Sequence, residues 1–305
     1  MIFEPCIKYK IDWWTIIFNN VSPNEVFDAL GIDHFRNEEV IKAFNERYLK
    51  SAGYELDFTI KFQFGHMTLH YHDILISLQS YSLDNIDQIT FFDTVFPYIR
   101  FDLSGECLDT LRCRDIEVDS IAFKPLIMPD RKEAAYHYTR CDYAFDLLNY
   151  CPEFVDQLML QVRELRDPET YRVFNGKYSG LKAQIHDGCD SRTVYLGSKG
   201  GQKLLRVYDK RFQYRNKLSE IPYYILEDGQ KIYPFSWIRI ELQTRKATAE
   251  SVCQTSGGDF MQIFRYIFDN FALTTGRRSK EISVLWLNLF NWSTIKPIIQ
   301  NANFV

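Results

Sequence analysis

The sequence predicts an α+β fold, with a largely antiparallel, curved β-sheet, flanking helices and a helical C-terminal segment. Many short segments alternate apolar and polar residues with the period of two that is typical of half-buried strands. The helix-like segments are grouped rather than placed between every pair of strands, which favours α+β over a parallel α/β sheet. Aromatic residues make up 16% of the 305-residue chain, and such residues favour sheets.

The N-terminal half is predicted to open with a strand over residues 7–18. A helix start follows, with Ser22 as the N-cap, Pro23 at the first helical position and Glu25 completing a capping box. A further helix is expected over 38–50. Alternating segments predict strands over 58–64, 67–71, 74–80 and 98–103. The last of these ends at Ser104-Gly105-Glu106, where a short helix is expected to begin.

The C-terminal half is predicted to begin after a proline-containing connection over 123–130. A strand over 136–145 and an amphipathic helix over 151–165 come next. Four further strands are expected, and the remainder of the chain is predicted to be mostly helical. These strands span residues 181–186, 193–197, 204–210 and 238–243.

Composition indicates a soluble globular protein, since 46% of the residues are hydrophobic and 25% are charged. The net charge of −4 counts against a general nucleic-acid coat, because non-specific binding rests on cations that face phosphates. A local basic site stays open, since eight basic residues between Arg192 and Lys217 are opposed only by Asp209. A solvated charged hairpin explains that stretch equally well.

The seven cysteines indicate a reducing compartment. Their number is odd and no pair has the two-residue gap of a zinc knuckle, so we expect free thiols in a cytoplasmic protein. The N-terminus shows no basic start followed by an apolar run, so no signal peptide is predicted. No segment has the length and apolarity of a membrane span, and we expect no membrane partner.

Three of the predicted strands carry polar residues at every second position. Side chains at alternate positions share one face of a strand. A single polar face is usually just exposed to solvent, but three of them together predict a common centre. The first face carries Arg140, Asp142, Ala144 and Asp146, the second Arg206, Tyr208 and Lys210, and the third Arg239, Glu241, Gln243 and Arg245.

These residue types suit the cleavage of a phosphodiester. The phenol of Tyr208 is the candidate nucleophile, and a free phenol with a pKa of about 10 needs a metal, a base or adjacent cations to react near neutrality. Asp142 and Glu241 offer the hard oxygen ligands that Mg²⁺ or Mn²⁺ prefers. Arginine and lysine side chains would hold the non-bridging phosphate oxygens.

At these residues the chain resembles the Rep_trans family, the rolling-circle plasmid replication initiators and the related relaxases of integrative conjugative elements. The matching segments run in the family's order from about residue 98 to 246, and specificity comes from the set and its order. They are Leu103-Ser104-Gly105-Glu106-Cys107, Arg140-x-Asp142-x-Ala144-x-Asp146, Tyr195-Leu196-Gly197-Ser198, Arg206-Val207-Tyr208-Asp209-Lys210 and Arg239-x-Glu241. The N-terminal third matches only weakly, apart from its opening strand.

The resemblance implies strand-specific nicking of plasmid origin DNA, with Tyr208 joined covalently to the 5′ phosphate and the strand later resealed. It implies a Mg²⁺ or Mn²⁺ site at Asp142 and Glu241, with Asp146 as a possible third ligand. It also implies a homodimer that loads a host helicase. The DNA contacts expected from the residues and the resemblance are Arg140, Lys199, Lys203, Arg206, Lys210, Arg211 and Arg239.

With this function, we expect an N-terminal α+β half over 1–120, a catalytic nicking half of the same sheet over 121–250, and a helical C-terminal segment over 251–305. Origin identity would be read elsewhere than at the nicking strand. The candidates are the segment from Thr248, including Arg277-Arg278, and loops of the N-terminal half. The arginine pair is equally well explained as a solvated helix end.

Three alternatives stay open. A conjugative relaxase would use the same strand chemistry as a plasmid initiator. A histidine-based endonuclease would use His70 and His72 as metal ligands with Tyr214 as nucleophile and Lys217 in a Tyr-x-x-Lys pattern. A non-enzymatic DNA-binding protein would use the segment around Tyr208 only to grip phosphates.

Overall fold

The structure is a computed structural model of the 305-residue chain. It describes residues 5–22, 25, 58–63, 66–71, 74–79, 95, 99–112, 119, 135–173, 180–189, 191–217, 221–225, 229–256, 259–276, 279–296 and 298–300. The predicted helix over 38–50, the connection over 123–130, His72 and the Arg277-Arg278 pair lie outside these residues.

Strands and helices are mixed, which confirms the predicted α+β class. The strands are β1 (Cys6–Asn19), β2 (Phe58–Gln63), β3 (His66–Tyr71), β4 (Ile74–Gln79), β5 (Ile99–Leu103), β6 (Ala135–Leu148), β7 (Arg172–Val173), β8 (Leu181–Asp187), β9 (Arg192–Gly197), β10 (Lys203–Asp209), β11 (Tyr224–Ile225), β12 (Lys231–Ile232), β13 (Trp237–Arg245) and β14 (Ile298–Gln300). The helices are α1 (Gly105–Arg112), α2 (Phe154–Leu165), α3 (Lys210–Gln213), α4 (Ala247–Ser256), α5 (Phe260–Phe271) and α6 (Val284–Ile295). Helices α4 to α6 form the expected helical C-terminal segment.

The chain forms two compact units. The first consists of Met1–Lys10, Asp142–Thr244 and Asp259–Val305, and the second of Ile11–Cys141 and Arg245–Gly258. The long strands β1 and β6 each contribute residues to both units.

The sheet of the first unit has the strand order β1-β6-β13-β10-β9-β8-β7, and β14 pairs in parallel with the start of β1. Strand β10 pairs antiparallel with β13 on one side and with β9 on the other. Strand β9 in turn pairs antiparallel with β8, and β8 with β7. From β7 to β10, each strand therefore pairs antiparallel with the next strand in the chain.

One face of this sheet is apolar and is covered by helices. Tyr143 and Phe145 of β6 are fully buried, and both rings meet the Phe260 ring of α5 edge-on, at centroid distances of 6.4 and 6.0 Å. Helix α2 packs on β8, β9 and β10 with its apolar side. Burying aromatic side chains is worth about 2–3 kcal/mol each, so this layer holds the sheet in place. The opposite face is the polar one.

The second unit contains the order β2-β3-β4-β5-β1, with antiparallel pairing throughout that series. Gly105 starts α1 where an added Cβ would lie 2.9 Å from the backbone oxygen of Asp12, which explains why glycine stands at this strand end. The predicted capping box is confirmed in the described residues. Ser22 N donates to Glu25 Oε2 at 2.6 Å, and Glu25 N donates to Ser22 Oγ at 3.3 Å.

Among the described helices, none is both long enough and apolar enough to cross a membrane.

Candidate functional site

A cluster of charged side chains lies on the polar face of β6, β13 and β10 in the first unit. Antiparallel pairing sets Arg206 opposite Glu241 and Tyr208 opposite Arg239. Between β6 and β13, Gln243 Nε2 donates to Asp142 Oδ2 at 3.0 Å. Side chains of directly paired residues project from the same face, so the three polar segments meet as the sequence predicted. We call Asp142, Asp146, Arg206, Arg239 and Glu241 the carboxylate–arginine cluster.

Arg206 bridges the two most buried carboxylates of this cluster. Its Nη2 donates to Glu241 Oε1 and lies 3.7 Å from Asp142 Oδ2. Asp142 is 1% exposed and Glu241 3%, so each carboxylate needs a cation to offset its lost hydration. The Nε of Arg206 is buried and, among the described residues, has no hydrogen-bond partner. A phosphate oxygen is the kind of acceptor that could take a hydrogen bond from this N–H.

Asp146 forms a separate ion pair with Arg239. Arg239 Nε and Nη2 donate to the two carboxylate oxygens at 2.7 and 2.6 Å, the forked geometry that suits arginine. Burial alone would raise the pKa of Asp146, but the nearby charges of Arg239 and Lys210 outweigh it and hold that pKa well below its usual range. Asp146 is therefore ionised near neutral pH and stays paired with Arg239.

The structure therefore brings Asp142 and Glu241 together and leaves Asp146 with Arg239. No three histidine, cysteine or acidic side chains of the described residues are grouped as a metal site. Two carboxylates still fit Mg²⁺ or Mn²⁺, because such ions commonly take one or two protein carboxylates and complete their shell with water and substrate phosphate. Arg206 contacts both of these carboxylates in the structure.

Tyr208 lies beside this cluster, half-buried on the same face as Arg206. Its register partners are Arg239 on β13 and Thr193 on β9. One prediction for its neighbour was wrong: the strand ends at Asp209, and Lys210 begins the short helix α3. The Asp209 side chain accepts a hydrogen bond from Phe212 N at 2.9 Å and so caps α3. This local bond favours the start of the helix over continuation of the strand. Lys210 Nζ instead lies 4.5 Å from the ring centroid of Trp237.

The four other predicted DNA contacts, which are Lys203, Lys199, Arg211 and Arg140, lie in four different surroundings. Lys203 lies on the helix-covered side, where its Nζ donates to Asn270 Oδ1 of α5 at 3.0 Å. Lys199 is exposed in the turn after β9, with Nζ 5.3 Å from the ring centroid of Tyr195. Arg211 is half-buried and donates to the backbone oxygen of Phe235. Arg140 belongs to the second unit, where it lies over the Trp13 ring.

Of the residues that the histidine-based alternative would use, the structure describes His70, Tyr214 and Lys217. Tyr214 follows α3 and stacks on Trp237, with ring centroids 5.5 Å apart and an interplanar angle of 30°. His70 belongs to β3 in the second unit, whereas Tyr214 belongs to the first. The contact with Trp237 gives Tyr214 a packing role.

Lys8 is a member of this region that the sequence analysis did not single out. It lies on β1, the strand next to β6, and interacts electrostatically with Asp146. Burial lowers its pKa to about 8, although the charge of Asp146 acts in the opposite direction. The available signal was the position of Lys8 between Ile7 and Tyr9 on a predicted strand.

Replacing Lys8 with methionine is expected to stabilise the protein near pH 7 by about 1 kcal/mol, a value discounted for its partial exposure. Between pH 8 and the unfolded value near 10.5, the folded wild type binds fewer protons at Lys8 than the unfolded chain. Its stability therefore rises with pH across that window, and the rise should be smaller in Lys8→Met. Urea unfolding from pH 7 to 10.5 measures this. Lys10→Met is the control, and a lower stability of Lys8→Met at pH 7 would contradict the expectation.

The chain is similar to known proteins in sequence and in fold. A family model described as Replication initiation factor, Rep_trans, matches residues 137–294, just over half of the chain. The fold is similar to the solved structure of a rolling circle replication initiator protein from Geobacillus stearothermophilus, with a TM-score of 0.56 and 15% identity. That similarity covers 97% of this chain and 100% of the other. No curated protein matches the sequence significantly.

Proposed function

Since the chain belongs to the Rep_trans family of replication initiation factors, we propose that it is a rolling-circle replication initiator that nicks one strand of plasmid origin DNA through Tyr208. The observation that carries this proposal is the position of Tyr208, half-buried beside Arg206 and opposite Arg239 on the face that holds Asp142 and Glu241. A nucleophile, phosphate-binding cations and metal-binding carboxylates are then all on one sheet face.

In the proposed step, the Tyr208 oxygen attacks the scissile phosphorus and loses its proton. A bond forms between that oxygen and phosphorus, and the bond from phosphorus to the 3′ oxygen breaks. The leaving 3′ oxygen takes up a proton, so no net proton is consumed. The product is a 5′-phosphotyrosine and a free 3′ hydroxyl that a polymerase extends. Attack by a later 3′ hydroxyl reverses the same exchange and reseals the strand.

Arg206 is proposed to hold a non-bridging oxygen of the scissile phosphate. Its side chain is 30% exposed, so a ligand can contact it. The Nε is itself buried and has no partner among the described residues, so a phosphate would reach that N–H only after the guanidinium moves. Arg239 and Lys210 add positive charge near Tyr208, which favours the phenolate. Arg239 is itself held by Asp146, so it is a rigid cation rather than a mobile one.

Asp142 and Glu241 are proposed to hold Mg²⁺ or Mn²⁺. When bound, such an ion would polarise the scissile phosphate and stabilise the negative charge that develops on it. The two carboxylates are buried and already share one cation, the Arg206 guanidinium. Asp142 and Glu241 would hold the ion in competition with Arg206, and a weaker hold on Arg206 would leave its guanidinium available for the phosphate.

Replacing Arg206 with glutamine is expected to tighten Mn²⁺ binding in the absence of DNA by about tenfold, because the guanidinium no longer competes for the same oxygens. Isothermal titration calorimetry with MnCl₂ measures the effect. Arg211→Gln removes a cation that contacts Phe235 instead, and should leave the Mn²⁺ affinity unchanged. Equal or weaker Mn²⁺ binding by Arg206→Gln would mean that Asp142 and Glu241 are not the ligands.

Lys199 and Lys203 should differ in their effect on DNA binding, although they are close in sequence. Lys199→Ala is expected to weaken binding to all DNA sequences and to lower the salt dependence by about one counterion. Lys203→Ala should leave DNA affinity unchanged and cost about 1 kcal/mol of stability, since it loses the bond to Asn270. Fluorescence anisotropy between 50 and 200 mM salt measures the DNA affinity of both variants and its salt dependence. Urea unfolding measures the stability of Lys203→Ala. The reverse pattern would place the DNA on the helix-covered side.

The direct test incubates the protein with supercoiled candidate-origin plasmids and MgCl₂, MnCl₂ or EDTA. We expect open circles and a protein-linked 5′ end with either metal, and neither with EDTA. A protein that shifts the DNA in gels without nicking any plasmid would be a binding protein rather than an enzyme. Size-exclusion chromatography and helicase-stimulation assays then test the proposed homodimer and the helicase partner.

A further inference from the structure

The first unit contains an open cavity on the side of β8 and β9, with a volume of about 600 Å³. Volumes of 300–1,000 Å³ are typical of sites that take small ligands. Its lining includes the cations Arg166, Lys182 and Lys199, the aromatic rings of Tyr171 and Tyr195, and Gln184. Among the described residues that line it, none is acidic, which favours an anionic ligand.

The cavity adjoins the nicking face. Strand register pairs Arg206 with Tyr195, and Tyr195 in turn with Gln184. Directly paired residues share a face, and neighbouring strands are about 4.8 Å apart. Tyr195 is therefore one strand from Arg206, and Gln184 is two strands, or roughly 10 Å, away. A DNA strand held at Tyr208 and Arg206 passes within reach of this cavity.

Tyr171 is presented to the cavity by a constrained turn. It is 59% exposed and adopts the left-handed φ of 54°, which is uncommon for a bulky residue. Tyr171 N donates to the oxygen of Asp167 and Ala183 N donates to the oxygen of Tyr171, both at 2.9 Å. The Arg166 guanidinium lies 5.4 Å from the ring centroid. An exposed ring held in an unfavourable backbone conformation indicates a function for that ring.

We propose that this cavity binds an unpaired nucleotide of the nicked DNA strand, next to the scissile phosphate. The inference rests on the proposed function, because it names a subsite for the same substrate. The Tyr171 and Tyr195 rings would stack on bases, and Lys182 and Lys199 would contact the backbone phosphates. Stacking tolerates any base, so the cavity would hold the strand open without reading its sequence. Capture of an unpaired nucleotide favours the melted form of the origin around the nick.

The test measures binding of a fluorescein-labelled dT12 oligonucleotide to the full chain in a Tyr208→Phe background, which separates binding from nicking. Tyr171→Gly removes the ring and relieves the left-handed backbone, so it should melt at an equal or higher temperature while dT12 affinity falls about five- to hundredfold. Tyr195→Ala should weaken dT12 binding by a similar factor. Tyr171→Phe keeps the ring and should bind within about twofold of the parent.

Tyr233→Ala is the matched control, because Tyr233 is also exposed and lies outside the cavity lining. Competition with dTMP distinguishes a DNA strand from a free nucleotide. The proposal expects dTMP to compete far more weakly than unlabelled dT12, and equal competition would overturn it. Photo-crosslinking with a 5-iododeoxyuridine oligonucleotide should place the adduct on Tyr171 or Tyr195. Unchanged dT12 binding in both Tyr171→Gly and Tyr195→Ala would also overturn it, whether or not Tyr208 proves to be the nucleophile.

Discussion

Tyr208→Phe is expected to abolish the covalent protein–DNA adduct and to reduce nicking of origin DNA by at least about three orders of magnitude. The substitution removes only the phenolic oxygen, which is the attacking atom in the proposed step. The ring still packs beside Arg206 and Arg239, so the fold and the DNA affinity should be retained. The adduct is measured on denaturing gels, after supercoiled plasmid has been nicked and the resulting strands have been end-labelled.

Tyr214→Phe is the matched control for this experiment. Tyr214 follows Tyr208 by six positions and stacks on Trp237, and that stacking does not need its hydroxyl. Normal adduct formation in Tyr214→Phe together with loss in Tyr208→Phe would support the proposal. Adduct that persists in Tyr208→Phe and disappears in Tyr214→Phe would instead support the histidine-based alternative.

Arg239→Met is expected to lower the free energy of unfolding by about 3–5 kcal/mol at pH 7, because it leaves the Asp146 carboxylate buried without its main cation. In the wild type, the pKa of Asp146 lies below its unfolded value near 4, so the pair stabilises the protein above that pH and loses its effect as the pH falls further. The difference between wild type and variant should therefore narrow under acidic conditions. Urea unfolding at pH 7 and at about pH 2.5, inside the window where the effect is lost, measures it.

The double variant Asp146→Leu with Arg239→Met tests whether the cost comes from the unpaired charge. Replacing both partners with apolar side chains removes the buried carboxylate together with its cation, and such replacements are often neutral or stabilising. The double variant should therefore recover most of the lost stability while DNA nicking stays impaired. A double variant as unstable as Arg239→Met would show that shape, rather than charge, makes Arg239 necessary.

Strands with strong alternation were predicted to within a residue or two. The predicted strand over 193–197 is observed as Arg192–Gly197, and that over 204–210 as Lys203–Asp209. Burial of one face imposes the period of two over the whole strand, so the pattern is visible locally. The two-residue strands β7, β11 and β12 were missed because two residues carry no periodicity, and their pairing depends on the partner strand.

The alternation along the strand also places Lys203 on the face opposite to that of Arg206. It is three residues before Arg206, and an odd separation on a strand places two side chains on opposite faces. The structure has Lys203 bonded to Asn270 of α5, while Arg206 faces Asp142 and Glu241. A basic stretch in sequence is thus not one basic surface, and only alternate members can meet the same DNA strand.

The amino-acid order was enough to identify the family, the α+β class and the polar faces that carry Tyr208, Asp142 and Glu241, because each depends on local pattern or short motifs. It did not reveal that Arg206 joins Asp142 to Glu241, or that Asp146 is committed to Arg239. Those contacts join residues separated by 35 to 93 positions. Strand order and register select them, and both depend on how the whole sheet buries its apolar face. The tertiary structure therefore decides which of these carboxylates and cations lie together.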